Sequence, residues 1–552
     1  MELRSGRGPG LARRELLTLF LGSAVAAAAC RRSPRGRAQV PTAIVDQAVD
    51  VGHLLRGGPP PVSAQRERVD VAIVGAGVAG LTSAWRLRGA GLSDVALLEL
   101  DVREGGTSQS GVGANGAHPW GAHYLPAPLE DRGPVVRLLR ELGAVTGTDE
   151  GGRPRFAEQM LVRAPDERLF YRGFWYEGLY PRVEAGAEDL EQLRRFEAEV
   201  NALARATDAR GRRAFAVPVE DSSDDAEWTA WDRESMAEWM DARGYRSPRL
   251  RWWVEYGCRD DFGLTLQTTS AWVALWYFAS RQAADGARHE GYLTWPEGNG
   301  ALVRQLAGGL SPGQLRKRVL IHTVREVADG VELDGWDAAA KAPVGLHAQR
   351  VVYAGPRFTA RHVIEAWRRA PPSYLSSFTQ APWVVANLSV SAPPEGRGFP
   401  LAWDNVLYDS QSLGYVVAGH QLERHWDQGP QVLTWYYPFT GSDPRAERER
   451  MLSASAADWE TLVMEDLLRA HPGLGQVAQQ LEVMRHGHAM VRPVPGFLWG
   501  HSRAQASRPL GRIHFAHADL GGINVFEEAQ HHGVRAAEEI LGAFGRPAAS
   551  WN

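Results

Sequence analysis

The sequence has very little lysine, little cysteine and no excess of positive charge. Only Lys317 and Lys341 among its 61 basic residues are lysines, and Cys30 and Cys258 are its two cysteines in 552 residues. The formal net charge of -4 provides no basic field for phosphate backbones, which argues against nucleic-acid binding. No internal apolar run approaches the ~20 residues of a membrane span, so we expect a water-soluble body. At this length, two domains are the first expectation.

Residues 1–30 have the architecture of an export signal. A basic stretch with Arg13-Arg14 precedes an apolar run that ends at Cys30. The stretch resembles a twin-arginine signal and the end resembles a lipobox, which predicts a periplasmic or membrane-anchored lipoprotein with the twin-arginine export machinery as a partner. An ordinary secretory signal with an incidental cysteine is the alternative. A lipidated Cys30 would leave Cys258 without a disulfide partner. Residues 31–68, rich in Arg, Pro, Gly and Gln, are predicted to be a linker.

A dinucleotide-binding fingerprint follows the linker. The apolar run 69–74 is typical of a buried parallel strand and leads directly into Gly75-Ala76-Gly77-Val78-Ala79-Gly80. The three glycines suit a tight turn, a close approach to a pyrophosphate and close helix packing, and the helix N-terminus offers amides to the phosphates. A second strand ends at Glu99, which we predict to accept hydrogen bonds from a ribose.

Further motifs resemble the flavin family of monoamine oxidases, polyamine oxidases, protoporphyrinogen oxidases and phytoene desaturases. Gly105-Gly106 resembles the family's second glycine pair, with Thr107 in place of its usual arginine. Residues 116–124 resemble the segment that the family lays along the flavin ring. Asp519, followed by Gly521-Gly522 and a helix, resembles the C-terminal signature, whose acid and helix N-terminus contact FAD. This resemblance implies an FAD cofactor.

The resemblance also implies an α/β fold, with a Rossmann-like FAD-binding domain and an interleaved α+β substrate domain. We assign 69–150, 291–365 and 481–545 to the FAD-binding domain, and 151–290 and 366–480 to the substrate-binding domain. The strand at 318–324 resembles the one whose valine meets adenine in the family. Fingerprint and resemblance together predict these cofactor-binding residues: Gly75, Gly77, Ala79, Gly80, Glu99, Gly105, Gly106, Thr107, Ala122, Val324, Asp519, Val525 and Phe526.

Catalytic residues are less well marked. In the family a hydride passes from the substrate to the flavin, and amine oxidases commonly hold a lysine near N5. The corresponding stretch, 383–387, contains no lysine. By position, the candidates are His488, His123 and Tyr124, with His486 less favoured. We expect His531-His532 to be solvated surface and no metal to be bound. For Asp260-Asp261, a salt bridge and an ammonium or metal contact both remain open.

The sequence therefore predicts an exported FAD-dependent oxidoreductase that takes a hydride from a CH–NH or CH–CH unit of a small-molecule substrate, with dioxygen or a quinone reoxidising the flavin. One alternative is a desaturase or protoporphyrinogen-oxidase-like enzyme for a bulky apolar substrate. Another is a binding or scaffold protein that keeps FAD without turnover, which the missing lysine and the altered glycine pair favour.

Overall fold

Two large β-sheets organise the chain. A computed structural model describes residues 39–46, 48–57, 60–282, 291–421 and 428–552, of which those from Pro41 onward form one unit. The strands are Thr42–Ile44 (β1), Glu67–Val74 (β2), Val95–Leu98 (β3), Ser110–Gly113 (β4), Gly116–Pro119 (β5), Tyr124–Pro126 (β6), Val145–Thr148 (β7), Pro154–Phe156 (β8), Glu167–Tyr171 (β9), Phe174–Glu177 (β10), Tyr292–Thr294 (β11), Leu315–Arg316 (β12), Val319–Val327 (β13), Gly330–Asp337 (β14), Ala342–Tyr353 (β15), Gln380–Val390 (β16), Asp404–Leu407 (β17), Tyr415–Val417 (β18), Gln431–Pro438 (β19), Ala478–Val491 (β20) and Ile513–Phe515 (β21).

Helices connect and cover these strands. They are Val49–Gly52 (α1), Val78–Gly89 (α2), Gly133–Glu141 (α3), Ala187–Arg205 (α4), Ala226–Thr229 (α5), Met236–Ala242 (α6), Pro248–Phe262 (α7), Ala271–Ala279 (α8), Gly300–Ala307 (α9), Arg357–Val363 (α10), Glu365–Arg369 (α11), Pro444–Ser453 (α12), Ala456–Leu468 (α13), Leu474–Val477 (α14), His501–Ala506 (α15) and Phe526–Ala543 (α16). Among the described residues, no helix has the length and apolar character needed to cross a membrane.

The first sheet carries the dinucleotide fingerprint. Its strand order is β12-β3-β2-β15-β14-β13, with β21 beside β15, and β2 runs parallel to both β3 and β15. The apolar strands β2 and β3 are buried in the sheet interior, as parallel strands covered on both faces require. Helices α2 and α16 pack so closely that a Cβ on Gly533 would lie 2.5 Å from the carbonyl oxygen of Ala79. The predicted α/β fold with a Rossmann-like domain is confirmed.

The second sheet has the order β1-β20-β16-β19-β18-β17-β9-β10. Every residue of β16 is buried, and β16 pairs antiparallel with β19 and β20. Two sequence boundaries differ from this arrangement. The predicted linker 31–68 contributes β1, whose Thr42 pairs in parallel with Leu481. Strand β20 lies in this second sheet, although residues 481–491 were assigned to the FAD-binding domain, because its β-pairing partners are β16 and β1.

Two other expectations meet the structure here. His531 and His532 lie on α16 and are 9% and 0% exposed, so the prediction of a solvated surface pair is wrong. The helix turns them toward the protein interior, next to the chain around Glu220. The predicted signal peptide, including Cys30, lies outside the described residues.

Candidate functional site

The first glycine loop has the geometry that its sequence predicts. Gly75 has φ +102°, which favours glycine, and a Cβ on Gly80 would lie 1.9 Å from the carbonyl oxygen of Gly75. Gly77 is the N-cap residue of α2, and a Cβ there would meet no atom within 4 Å. The loop therefore leaves open space in front of the α2 N-terminus, where backbone amides and the helix dipole favour a phosphate group.

The second glycine pair closes against the first loop. The amide of Gly105 donates to the carbonyl oxygen of Ala76 over 2.8 Å, and a Cβ on Gly106 would lie 3.5 Å from the Cα of Gly77. The carbonyl oxygen of Thr107 accepts a hydrogen bond from Ala122 over 2.9 Å. Two glycine turns thus share one cradle, which a side chain on either would begin to fill.

Glu99 lies at the end of β3, beside the first loop. Its two carboxylate oxygens accept hydrogen bonds from the amides of Ala76 (2.7 Å) and Asp101 (2.8 Å). Burial raises the pKa of Glu99 to about 7, although the backbone hydrogen bonds oppose this shift. Each oxygen retains a second lone pair, so the side chain can also accept a ribose hydroxyl.

The predicted adenine contact, Val324, lies further along the same strand. Val324 pairs with Leu333 in β14 and bridges to Ile364. The residue of β13 that meets the end of β3 is Val319, whose amide donates to the carbonyl oxygen of Glu99 over 2.8 Å. The adenine contact at Val324 therefore stays a prediction.

The C-terminal motif approaches the same region. Asp519 is 1% exposed, and its carboxylate accepts a hydrogen bond from the amide of Arg357 over 3.0 Å. Although burial opposes it, nearby His517 together with hydrogen bonds from Arg357 and Asn524 lowers the pKa of Asp519, so the group is ionised at neutral pH. Val525 is the N-cap residue of α16, and Phe526 is its first residue.

These motifs line one end of a large cavity. Thr107, Ala122, Val525 and Phe526 contribute to its wall. The glycine cradle, the ionised acid and two helix N-termini fit a dinucleotide whose ring end reaches the cavity. FAD fits this arrangement: Gly77 and Gly106 would admit its pyrophosphate, Glu99 its ribose, and Val525 and Phe526 the pyrimidine end of its flavin.

Much of the cavity wall is aromatic. The ring of His123 lies 4.9 Å from that of Tyr436 and 5.4 Å from that of Trp403, and the rings of Tyr124 and Tyr292 are 4.9 Å apart. The hydroxyl of Tyr436 donates to the carbonyl oxygen of Gly121, which ties the second sheet to the ring-side segment. Tyr256, Tyr277, Trp383 and Phe526 also contribute aromatic rings to the lining.

Five carboxylates and one arginine line the same cavity: Glu167, Asp260, Asp261, Asp404, Glu527 and Arg281. Asp261 pairs with Arg281 over 2.8 Å, so the salt bridge that the sequence left open does exist, on helix α7 rather than in a loop. Asp260 accepts a hydrogen bond from Tyr277, and Asp404 accepts one from Tyr256, each over 3.4 Å. Four acidic groups therefore face the cavity without a paired cation among its described lining residues.

Burial and mutual repulsion raise the pKa values of these acids. Burial, with the neighbouring Asp261, raises the pKa of Asp260 to about 7, and burial with Asp166 raises the pKa of Glu167 to about 7. Burial, with Asp260 and Glu167, raises the pKa of Asp404 well above its usual range. A bound cation would reverse these shifts, since it stabilises the ionised carboxylates.

The catalytic candidates separate into two places. His123 and Tyr124 line the cavity; burial lowers the pKa of His123 to about 3 and raises the pKa of Tyr124 well above its usual range, so neither is charged at neutral pH. His488 is absent from the cavity lining, and its ring stacks on Phe358 at 3.9 Å. His486, the less favoured candidate, does line the cavity, and its Nε2 lies 2.6 Å from the carbonyl oxygen of Trp120.

Regular alternation would place His486 and His488 on the same face of β20. The register between β16 and β20 is irregular between His486 and Met490, which interrupts that alternation and lets the two histidines differ. Sequence reasoning missed Asp404, Glu167 and Arg281, which come from three separate segments. No local motif marks them. Lys317 pairs with Glu104, and neither lysine lines the cavity.

Comparisons with known proteins agree with this architecture. A family model described as an NAD(P)-binding Rossmann-like domain matches residues 73–142. No curated protein matches the sequence. Among solved structures, putrescine oxidase bound to putrescine is 17% identical with a TM-score of 0.63, and the alignment covers 87% of this chain and 100% of that one.

Two further structures share the fold. Cyclohexylamine oxidase from Brevibacterium oxydans IH-35A is 16% identical, with a TM-score of 0.60 over 87% of this chain and 100% of that one. A CLA-producing fatty acid isomerase from P. acnes is 15% identical, with the same TM-score and the same coverage of both chains. At these identities the likeness establishes the fold alone, a two-domain α/β architecture that this chain shares with the three structures.

Proposed function

We propose that this protein is an FAD-dependent oxidoreductase that oxidises an amine at the carbon bearing nitrogen. The observation that carries the proposal is the acidic, aromatic cavity beside the glycine cradle. Carboxylates and aromatic faces both favour a cation, whereas they repel a carboxylate. When bound, FAD supplies the hydride acceptor at N5, and the residues of the chain bind and orient the amine and exclude water.

Individual cavity residues have distinct parts in this proposal. Asp404 and Asp260 attract the ammonium group of the substrate, and the aromatic wall around His123 and Tyr436 holds its carbon chain. Arg281 fixes Asp261 and the hydroxyl of Tyr124, to which it donates over 3.4 Å. Since the lining contains no lysine, a neutral group such as His486 is the available proton acceptor or water-holding group.

The proteins that share this fold support both amine oxidation and its main alternative, chemistry at a CH–CH unit. Two of them are amine oxidases by name, and one is a fatty acid isomerase, which acts on an apolar chain with a carboxylate. The excess of acids in this cavity favours the amine. The test below also distinguishes two alternatives: oxidation of a CH–CH donor without positive charge, and a scaffold protein that carries flavin without turnover.

The test is anaerobic reduction of the purified full chain, followed by flavin absorbance near ~450 nm. The probes form a matched set: 1,4-diaminobutane, 1,4-butanediol and an unsaturated fatty acid. We expect the diamine to bleach the flavin and the diol to leave it oxidised, because they differ in charge while the chain length is the same. Bleaching or isomerisation with the fatty acid alone would replace the proposal with CH–CH chemistry, and bleaching by no donor would support the scaffold.

Export is a further part of the proposal, supported by Arg13-Arg14 and Cys30 in the sequence. Such a route carries folded proteins and suits an enzyme that is loaded with its cofactor before export. Cell fractionation of wild type and Cys30→Ser tests it. We expect the wild type in the membrane fraction and the variant released from it; a cytoplasmic wild type would contradict export.

A further inference from the structure

A second cluster of ionisable side chains lies away from the cavity, between α16 and the short helical turn Val219–Asp221. His531 and His532 lie on α16, and Glu220 belongs to the turn. Glu528 joins the two elements, since its Oε1 accepts a hydrogen bond from the amide of Val219 over 2.5 Å. None of these four ionisable side chains lines the cavity.

The distances in this cluster suit metal coordination. Nε2 of His531 lies 3.1 Å from Oε2 of Glu220, and Nε2 of His532 lies 4.0 Å from Oε2 of Glu528. One ligand atom from each of Glu220, His531 and His532 can be chosen so that all lie within 4.8 Å of one another. Around a tetrahedral ion with bonds of ~2.0–2.2 Å, neighbouring ligand atoms are ~3.3 Å apart, so small side-chain rotations bring the set onto one ion.

Two of the potential ligand atoms are buried without a hydrogen-bond partner in the part of the chain that the structure describes. His532 and Glu528 are both 0% exposed. Nε2 of His532 and Oε2 of Glu528 have no hydrogen-bond partner among the described residues. A buried polar atom without a partner is costly, and the two atoms belong to the residue types that bind transition metals.

We propose that Glu220, Glu528, His531 and His532 form a binding site for a divalent transition metal, with Zn²⁺ as the best match. Imidazole nitrogens and carboxylate oxygens are common zinc ligands, and four of them complete a closed structural site. Glu220, whose side chain is 38% exposed, gives the ion a path from solvent. The metal would hold α16, whose N-terminus faces the cavity, to the turn at Val219.

Two arginines oppose the metal, and both can be accommodated. Arg535 donates from Nε to Nδ1 of His532 over 3.3 Å; coordination through Nε2 places the imidazole proton on Nδ1, so this contact must open. Arg535 remains held by Glu539 and by the carbonyl oxygen of Phe515. The charge of Arg503 near Glu220 and Glu528 weakens cation binding, so both carboxylates are needed to offset it.

The experiment uses the tag-free full chain with FAD, stripped with EDTA, dialysed, and titrated with Zn²⁺ against a chromophoric chelator, with metal content measured by mass spectrometry. We expect one zinc per chain. Glu220→Gln and His531→Gln should each weaken zinc binding at least ~10-fold. His362→Gln alters an exposed histidine outside the cluster and should leave the affinity unchanged.

Glu220→Gln is the decisive variant, because its exposed side chain can change without unfolding the protein, and retained flavin absorbance verifies this. Failure to bind stoichiometric zinc in the wild type, or equal zinc affinity in wild type, Glu220→Gln and His531→Gln, would overturn the site. The readout does not involve amine turnover and is independent of the proposed function.

Discussion

The nucleotide end and the cavity end of the candidate site are built in different ways. At the nucleotide end, the loop contacts join residues of one segment, 75–107: Gly80 meets Gly75, and Gly105 meets Ala76. At the cavity end, Glu167, Asp260 and Asp404 come from a strand, a helix and a second strand that only tertiary packing brings together. The first end depends on backbone space, and the second depends on buried charge. Each kind of dependence makes its own experimental prediction.

The largest effect is expected at the nucleotide end. Gly80→Ala places a Cβ 1.9 Å from the carbonyl oxygen of Gly75, so the loop must move. Overpacking of this kind typically costs ~1–3 kcal/mol, and we expect the Kd for FAD to rise at least ~10-fold. The flavin absorbance that the variant retains after dialysis measures the loss of FAD affinity.

The matched control for that change is Gly542→Ala, near the end of α16, where a Cβ meets no atom within 4 Å. Alanine favours the helix there by up to about 1 kcal/mol, so FAD binding should be kept and the melting temperature should not fall. If Gly80→Ala retained FAD as fully as Gly542→Ala, close packing would not be what makes this loop a nucleotide site.

At the cavity end, Asp404→Asn and Asp260→Asn remove charge without changing size. We expect KM for an amine to rise roughly 10-fold or more, because a hydrogen bond to a charged group contributes ~1.5–3 kcal/mol. The Kd for FAD should be unchanged, in contrast to Gly80→Ala. Steady-state kinetics and a flavin titration give both values.

Asp409→Asn, at an exposed aspartate of the same region, serves as the control and should change neither value. An unchanged KM in both cavity variants would show that the acids do not recognise the substrate.

The cavity acids also predict how stability depends on pH. Asp260 and Glu167 have a pKa of about 7 in the folded chain, above that of the unfolded chain. Their contribution to stability is therefore complete below about pH 4 and is lost as pH rises through about 7. In thermal unfolding without substrate, the Asp260→Asn, Glu167→Gln double variant should lose less stability between pH 5 and pH 8 than the wild type (pH values approximate). If the melting temperatures of the wild type and the double variant changed equally with pH, the raised pKa values of Asp260 and Glu167 would be contradicted.

The same contrast explains what the sequence revealed. The glycine loops, Glu99 and the C-terminal acid Asp519 belong to short sequence motifs. In these motifs the residue type itself indicates the backbone conformation or the contact that is required, and the α/β fold can be predicted from them. Strand register and the convergence of distant acids depend on tertiary packing, which leaves no local pattern. The sequence therefore contained no sign that Asp404, Glu167 and Arg281 line the cavity.

The smallest effect separates the two histidines of β20. His488 stacks on Phe358 at 3.9 Å outside the cavity lining, so His488→Ala should cost ~0.5–1.5 kcal/mol in unfolding free energy and leave the rate of flavin reduction unchanged. His486→Ala removes a cavity wall residue that contacts Trp120, and should slow flavin reduction while FAD remains bound. Stopped-flow reduction and thermal unfolding of both variants measure the contrast. If His488→Ala slowed reduction and His486→Ala did not, the proton-handling group would lie on the face of β20 that the sequence first indicated, and the cavity described here would not be where the chemistry occurs.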